Sequence, residues 1–176
     1  MAQPGDVITN PASGETLHFI DTAATTGGEL LRWEHTLRPG ARVPSDHIHP
    51  VQEERFEVLS GRVSVRVGRE RRELTTGQSI ILPPGTTHGL RNIGDDEARV
   101  LVDVRPALRM EELFERVCAL AQVGRVNRRG NPRALPAALI ADSCRDVAYL
   151  PGVPVALQKG GISALAVLAR LLRVDA

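Results

Sequence analysis

Between Gly40 and Asn92 the chain sets three of its five histidines into a frame of turn-forming residues: Gly40, His47-Ile-His49, Glu54, Gly61, Gly77, Pro83, Gly85, His88 and Asn92. On an extended strand, positions i and i+2 share a face, so His47 and His49 project together. Glu54 follows on the next strand. His88 lies beyond the Pro83–Gly85 turn and can return to the same place from a facing strand. An isolated His-x-His is more often a pair of ordinary histidines. Here the glycines and prolines sit at the offsets that turn short strands back on one another, and they give the histidines a shared destination.

The rest of the first half of the chain has the same grain. Glu29 to Leu37 alternates, with Leu31, Trp33, His35 and Leu37 on one face. Val63, Val65 and Val67 alternate with Arg62, Ser64 and Arg66. Further strands are predicted over 15–21, 55–59, 71–74, 79–82, 87–92 and 98–105, with a polar arm or edge strand before them. Short strands with frequent turns predict an antiparallel sandwich or small barrel. At Pro106 the period changes. Leu113, Phe114, Val117, Leu120 and Ala121 form one helical face behind acidic Glu111 and Glu112. Further helices are expected over 136–148 and 155–172, the latter interrupted by Gly160-Gly161. The predicted layout is an N-terminal arm and edge strand (1–27), a β-barrel (28–105) and a helical extension (106–176).

Three imidazoles and one carboxylate suit one divalent transition metal: Fe, Mn, Ni, Co, Cu or Zn. Four protein ligands leave coordination positions for water, O₂ or substrate, which marks a reactive site. The strand parity places Phe56 and Val58 beside Glu54 in the pocket. His35 is the candidate catalytic acid/base group, with Trp33 beside it, and Asp103 is a candidate at the pocket mouth. Leu90 shares the face of His88 and Asn92, which gives the pocket an aliphatic wall.

The two glycine-bounded runs resemble the paired motifs of the cupin superfamily, G-x₅-H-x-H-x₃₋₄-E-x₆-G and G-x₅-P-x-G-x₂-H-x₃-N. The second matches in full, and the first carries one extra residue after Gly40. The resemblance implies an all-β jelly-roll barrel, a double-stranded β-helix, with His47, His49, Glu54 and His88 as metal ligands. It also implies a homodimer and a small-molecule substrate. The leading expectation is a metal-dependent oxygenase of the dioxygenase type. The alternatives are a non-redox isomerase, lyase or cyclase, and a non-enzymatic small-molecule binder, since fold does not fix function.

Composition bounds the rest. With 22 basic and 21 acidic residues the net charge is +1, which gives no reason to expect nucleic acid or an anionic membrane as partner. Lys159 is the sole lysine against a large excess of arginine, suggesting a GC-rich bacterial genome. The N-terminus has no signal-peptide pattern, and no apolar run is long enough to span a bilayer, so a cytoplasmic protein is expected. Cys118 and Cys144 are expected as buried free thiols.

Overall fold

The computed structural model describes residues 1–43 and 45–175. Among them the strands are β1 (Val7–Asn10), β2 (Glu15–Asp21), β3 (Leu31–Leu37), β4 (Glu53–Ser60), β5 (Arg62–Val67), β6 (Glu70–Thr75), β7 (Ser79–Leu82), β8 (His88–Asn92) and β9 (Ala98–Arg105). One sheet runs β1-β2-β3-β9-β4-β7 and the other β6-β5-β8, with every pairing antiparallel. This is the expected double-stranded β-helix barrel. The alternating pattern of β3 is realised as predicted: Leu31, Trp33, His35 and Leu37 are all buried. Phe19, Val63, Val65, Leu82, Val100 and Val102 complete the barrel interior. The arm ahead of β3 is part of this architecture, because β1 and β2 extend the larger sheet at its β3 edge.

Two motif residues are explained by packing. Gly61 has φ +84°, and a Cβ there would come within 2.9 Å of the Ala98 backbone, so the β4–β5 turn requires glycine. Asn92 is fully buried. Its amide donates to the carbonyls of Leu37 (2.9 Å) and Asp96 (2.8 Å), and its Oδ1 accepts the Gly94 N–H (2.8 Å). It clasps the β8–β9 turn to the end of β3.

The extension contains α1 (Met110–Gln122), α2 (Ala134–Ser143) and α3 (Val155–Leu171). The second helix stops earlier than the sequence suggests. Asp146 has φ +69°, and the chain then runs extended into a bridge between Tyr149 and Ile48. Gly160 and Gly161 lie inside α3. Each costs about 1 kcal/mol against alanine, offset by fully buried Ala166 and Ala169. Asp142 of α2 holds Arg145 and, across to α3, Arg170. No helix among the described residues is long and apolar enough to cross a membrane. Both cysteines are free and buried, and burial pushes the Cys118 thiol up to about 12.

Candidate metal centre and its cavity

The frame around the histidines works through backbone pairing. His47 and His88 exchange both backbone hydrogen bonds, at 3.0 and 2.9 Å, so the two ligand-bearing segments are locked side by side. The Gly85 N–H donates to the His49 carbonyl (2.7 Å), which fixes the Pro83–Gly85 turn against the same segment. Glu54 enters from β4, paired with Leu82 on one side and Val104 on the other. The result brings one ligand atom each from His47, His49, Glu54 and His88 within 4.8 Å of one another.

The hydrogen-bond network fixes what those atoms are. His47 Nδ1 lies 2.9 Å from the Ser45 carbonyl, His88 Nδ1 2.8 Å from the Thr86 carbonyl, and His49 Nδ1 against the Val147 carbonyl. A carbonyl only accepts, so each Nδ1 carries the proton and each neutral ring presents an Nε2 lone pair inward. The Nε2 atoms of His47 and His49 face each other at 3.2 Å, and His88 Nε2 faces Glu54 Oε2 at 2.7 Å. Neutral imidazoles beside a carboxylate would make this a cluster of acceptors with no donor. A bound cation would satisfy all four groups at once, where a single shared proton satisfies only a pair, and backbone carbonyls behind the imidazoles are the usual support of a metal site. The donor set therefore fits a divalent metal.

Ionisation follows the same crowding. Burial, then the neighbouring His88 and His49 rings, pushes His47 down to about 3. Burial opposes ionisation of Glu54, but the close approach of the His49 and His88 rings outweighs it and holds the carboxyl well below its ordinary range. Burial also works against a charge on His88, yet the contact with Glu54 wins and raises it. Without a metal, Glu54 and His88 share a proton where the cation would lie.

The cluster opens into a cavity of about 490 Å³ with mostly apolar walls. Trp33, His35, Phe56 and Leu90 line it together with the four candidate ligands. Val58 does not. It is buried further along β4, where its backbone pairs with Gly77 and Gln78 at the far end of the barrel. Asp103 is also elsewhere, holding Arg32 through paired contacts of 2.7 and 3.0 Å. Glu53 is exposed, whereas Glu54 is buried in the cluster.

Three contributors were not among the candidate site residues expected from the sequence. The first is Glu15, whose Oε2 lies 3.0 Å from His35 Nε2, with both residues buried. Strand alternation in β2 could have found it, because Glu15 and Leu17 share an inward face. The second is the extension, which caps the mouth: Leu113, Phe114 and Val117 of α1 line the cavity with Ala138, Ile140 and Tyr149. The third is the Val147 carbonyl behind His49, held by the mutual Ile48–Tyr149 backbone bonds of 2.9 and 3.0 Å. A backbone acceptor has no residue type to read.

The model for the cupin domain family matches residues 33–104. Over 102 residues the chain is 39% identical to polyketide synthase CurC of Streptomyces cyaneus, covering 57% of this chain and 66% of that relative. It is 33% identical over 102 residues to protein SchB of Streptomyces halstedii, covering 57% of this chain and 73% of that relative. A solved structure of a predicted oxalate decarboxylase from Thermotoga maritima shares the fold, with a TM-score of 0.53 at 15% identity over 60% of this chain and 98% of that chain. Motif spacing, barrel topology and these matches agree: the chain belongs to the cupin superfamily.

Proposed function

We propose that this cupin is a metal-dependent, non-redox enzyme that closes a ring in a small poly-carbonyl substrate of polyketide type. The observation that carries the reading is the His35–Glu15 pair, 3.0 Å apart and buried in the wall of the same cavity as the His/Glu cluster. A metal held by His47, His49, Glu54 and His88 would supply Lewis acidity to a 1,3-dicarbonyl group. The chain's own residues do the rest. The Glu15 carboxylate accepts the Nε2–H of His35, fixes its tautomer and leaves Nδ1 as the basic nitrogen. His35 takes the proton from the carbon between two carbonyls, and the C–H electron pair forms the new C–C bond to a distant carbonyl carbon. The oxygen of that carbonyl becomes an alkoxide and recovers the proton from His35. Phe56, Leu90, Phe114 and Val117 form apolar walls that fold the chain and exclude water. The name of the relative CurC supports this substrate class.

The test is conversion of a synthetic 1,3,5,7-tetraketone, whose first inter-carbonyl carbon reaches the last carbonyl in a six-membered ring, by zinc-loaded protein without oxygen. Ring closure is expected, and His35→Gln should lower kcat about 100-fold with metal content unchanged. A second reading, a dioxygenase, draws on the same donor set, which also suits a redox-active metal. Strict dependence on Fe(II), with O₂ consumed in step with substrate, would replace the first reading by the second.

A further inference from the structure

The polar atoms of this cavity are not confined to the metal cluster. Among the described residues the indole Nε1 of Trp33 has no hydrogen-bond partner, in a residue only 2% exposed. Glu15 is 6% exposed, and its Oε1 is likewise buried and without a partner among the described residues, while Oε2 engages His35. Buried donors and acceptors are almost always satisfied, so an unmet pair in one cavity marks the place of a missing partner. Both side chains line the cavity.

Their placement comes from the β2–β3 register. Leu17 stands opposite His35, Phe19 opposite Trp33 and Glu15 opposite Leu37. Trp33 and Glu15 therefore bracket His35, with the Trp33 and His35 rings 6.5 Å apart. The edge contact of Phe114 with the Trp33 ring, at 5.1 Å, lays α1 across this end, and Leu113 and Val117 add apolar surface. An N–H that must donate and a carboxylate oxygen that must accept, set among apolar walls, match hydroxyl groups on a hydrophobic body. A ketone satisfies Trp33 and leaves Glu15 unmet. A phenol or enol satisfies both kinds of atom.

We infer that Trp33 and Glu15 form a second recognition point, which selects substrates carrying a phenolic or enolic hydroxyl at the end that lies against the β2–β3 wall. The inference deepens the proposed function and rests on its reading of this cavity as the substrate site. It gives Trp33 Nε1 and Glu15 Oε1 to specificity, while Glu15 Oε2 keeps its hold on His35, which moves the proton.

The test compares 2-naphthol with 2-methylnaphthalene, which has the same body and no hydroxyl, by calorimetric titration of the full chain. Wild type should bind 2-naphthol about tenfold more tightly. The preference should survive in His47→Ala, where a phenol cannot be held by a complete metal centre. It should fall to about threefold or less in Trp33→Phe and in Glu15→Met. Thermal melts identify any variant that fails to fold, and Trp33→Phe alone is then decisive. Equal binding of the two probes to wild type would overturn the inference. So would a preference that vanishes in His47→Ala and persists in Trp33→Phe, because the hydroxyl would then be read by the metal. Loss of ring closure with the naphthol preference intact would sink the reaction while leaving this recognition point standing.

Discussion

The barrel and the C-terminal extension build one site by different means. The barrel supplies four side chains whose identity is their function: His47, His49, Glu54 and His88. The extension supplies shape and one backbone atom, with α1 and α2 closing the cavity and the Val147 carbonyl setting the His49 ring. The barrel thus supplies the donor atoms that could hold an ion, while the extension supports one of those rings and shapes the cavity beside it. A chemical signature concentrates where side chains act and disappears where the backbone acts.

The largest effects should come from the barrel side. Glu54→Gln keeps the shape and removes the carboxylate that faces His49 and His88. Metal affinity should fall at least about 100-fold, read by competition with a chelating dye. An unchanged affinity would mean that Glu54 is not a ligand. The extension should matter less but measurably. Tyr149→Pro removes the N–H that donates to Ile48 and so loosens the segment carrying Val147. About a tenfold weaker metal affinity is expected, with the circular dichroism of the barrel preserved. No change would reduce the extension to a cover.

Acidity sharpens the same contrast, because the competing proton belongs to the barrel. His47 is held down to about 3, so it is neutral and ready at pH 7. His88 is raised by Glu54, so the proton displaced by the metal comes mainly from that pair. Metal uptake should release about one proton below the raised His88 value and weaken by about tenfold per pH unit as pH falls through that region. Calorimetry in buffers of different ionisation enthalpy reads the proton directly. Release of none would place the site's proton elsewhere. Asn92→Ala, which removes one buried and two part-buried hydrogen bonds without touching the candidate ligands, should cost about 2–4 kcal/mol in urea unfolding. Its metal stoichiometry should stay at that of the wild type. The smallest effect is expected from Asp103→Asn, at a side chain that does not line the cavity and is held by Arg32, with metal affinity changed less than about twofold.

How much of this was legible follows the same division. The turn glycines and prolines, with their histidines, announced the barrel and its candidate ligands, because tight strand reversals favour glycine and proline and a metal site needs side chains that donate electron pairs. The helical period after Pro106 announced an extension, and its apolar faces announced that something must cover them. Its seat over the cavity was not legible, because apolar helix faces fit any apolar surface. Glu15 was readable only in part: alternation in β2 turned it inward, but its contact with His35 needed the β2–β3 register. Val58 shows the converse error. Strand parity gave its face correctly, and only the length of β4 separated the cavity at Glu54 and Phe56 from the packed barrel end at Val58.

The central claim is that His47, His49, Glu54 and His88 hold a metal ion. Elemental analysis of protein purified anaerobically without added metal, alongside His47→Ala, tests it most directly. The account predicts about one transition-metal ion per wild-type chain and a large loss in the variant. A folded wild-type protein that carries no transition metal and takes up none on addition would contradict it.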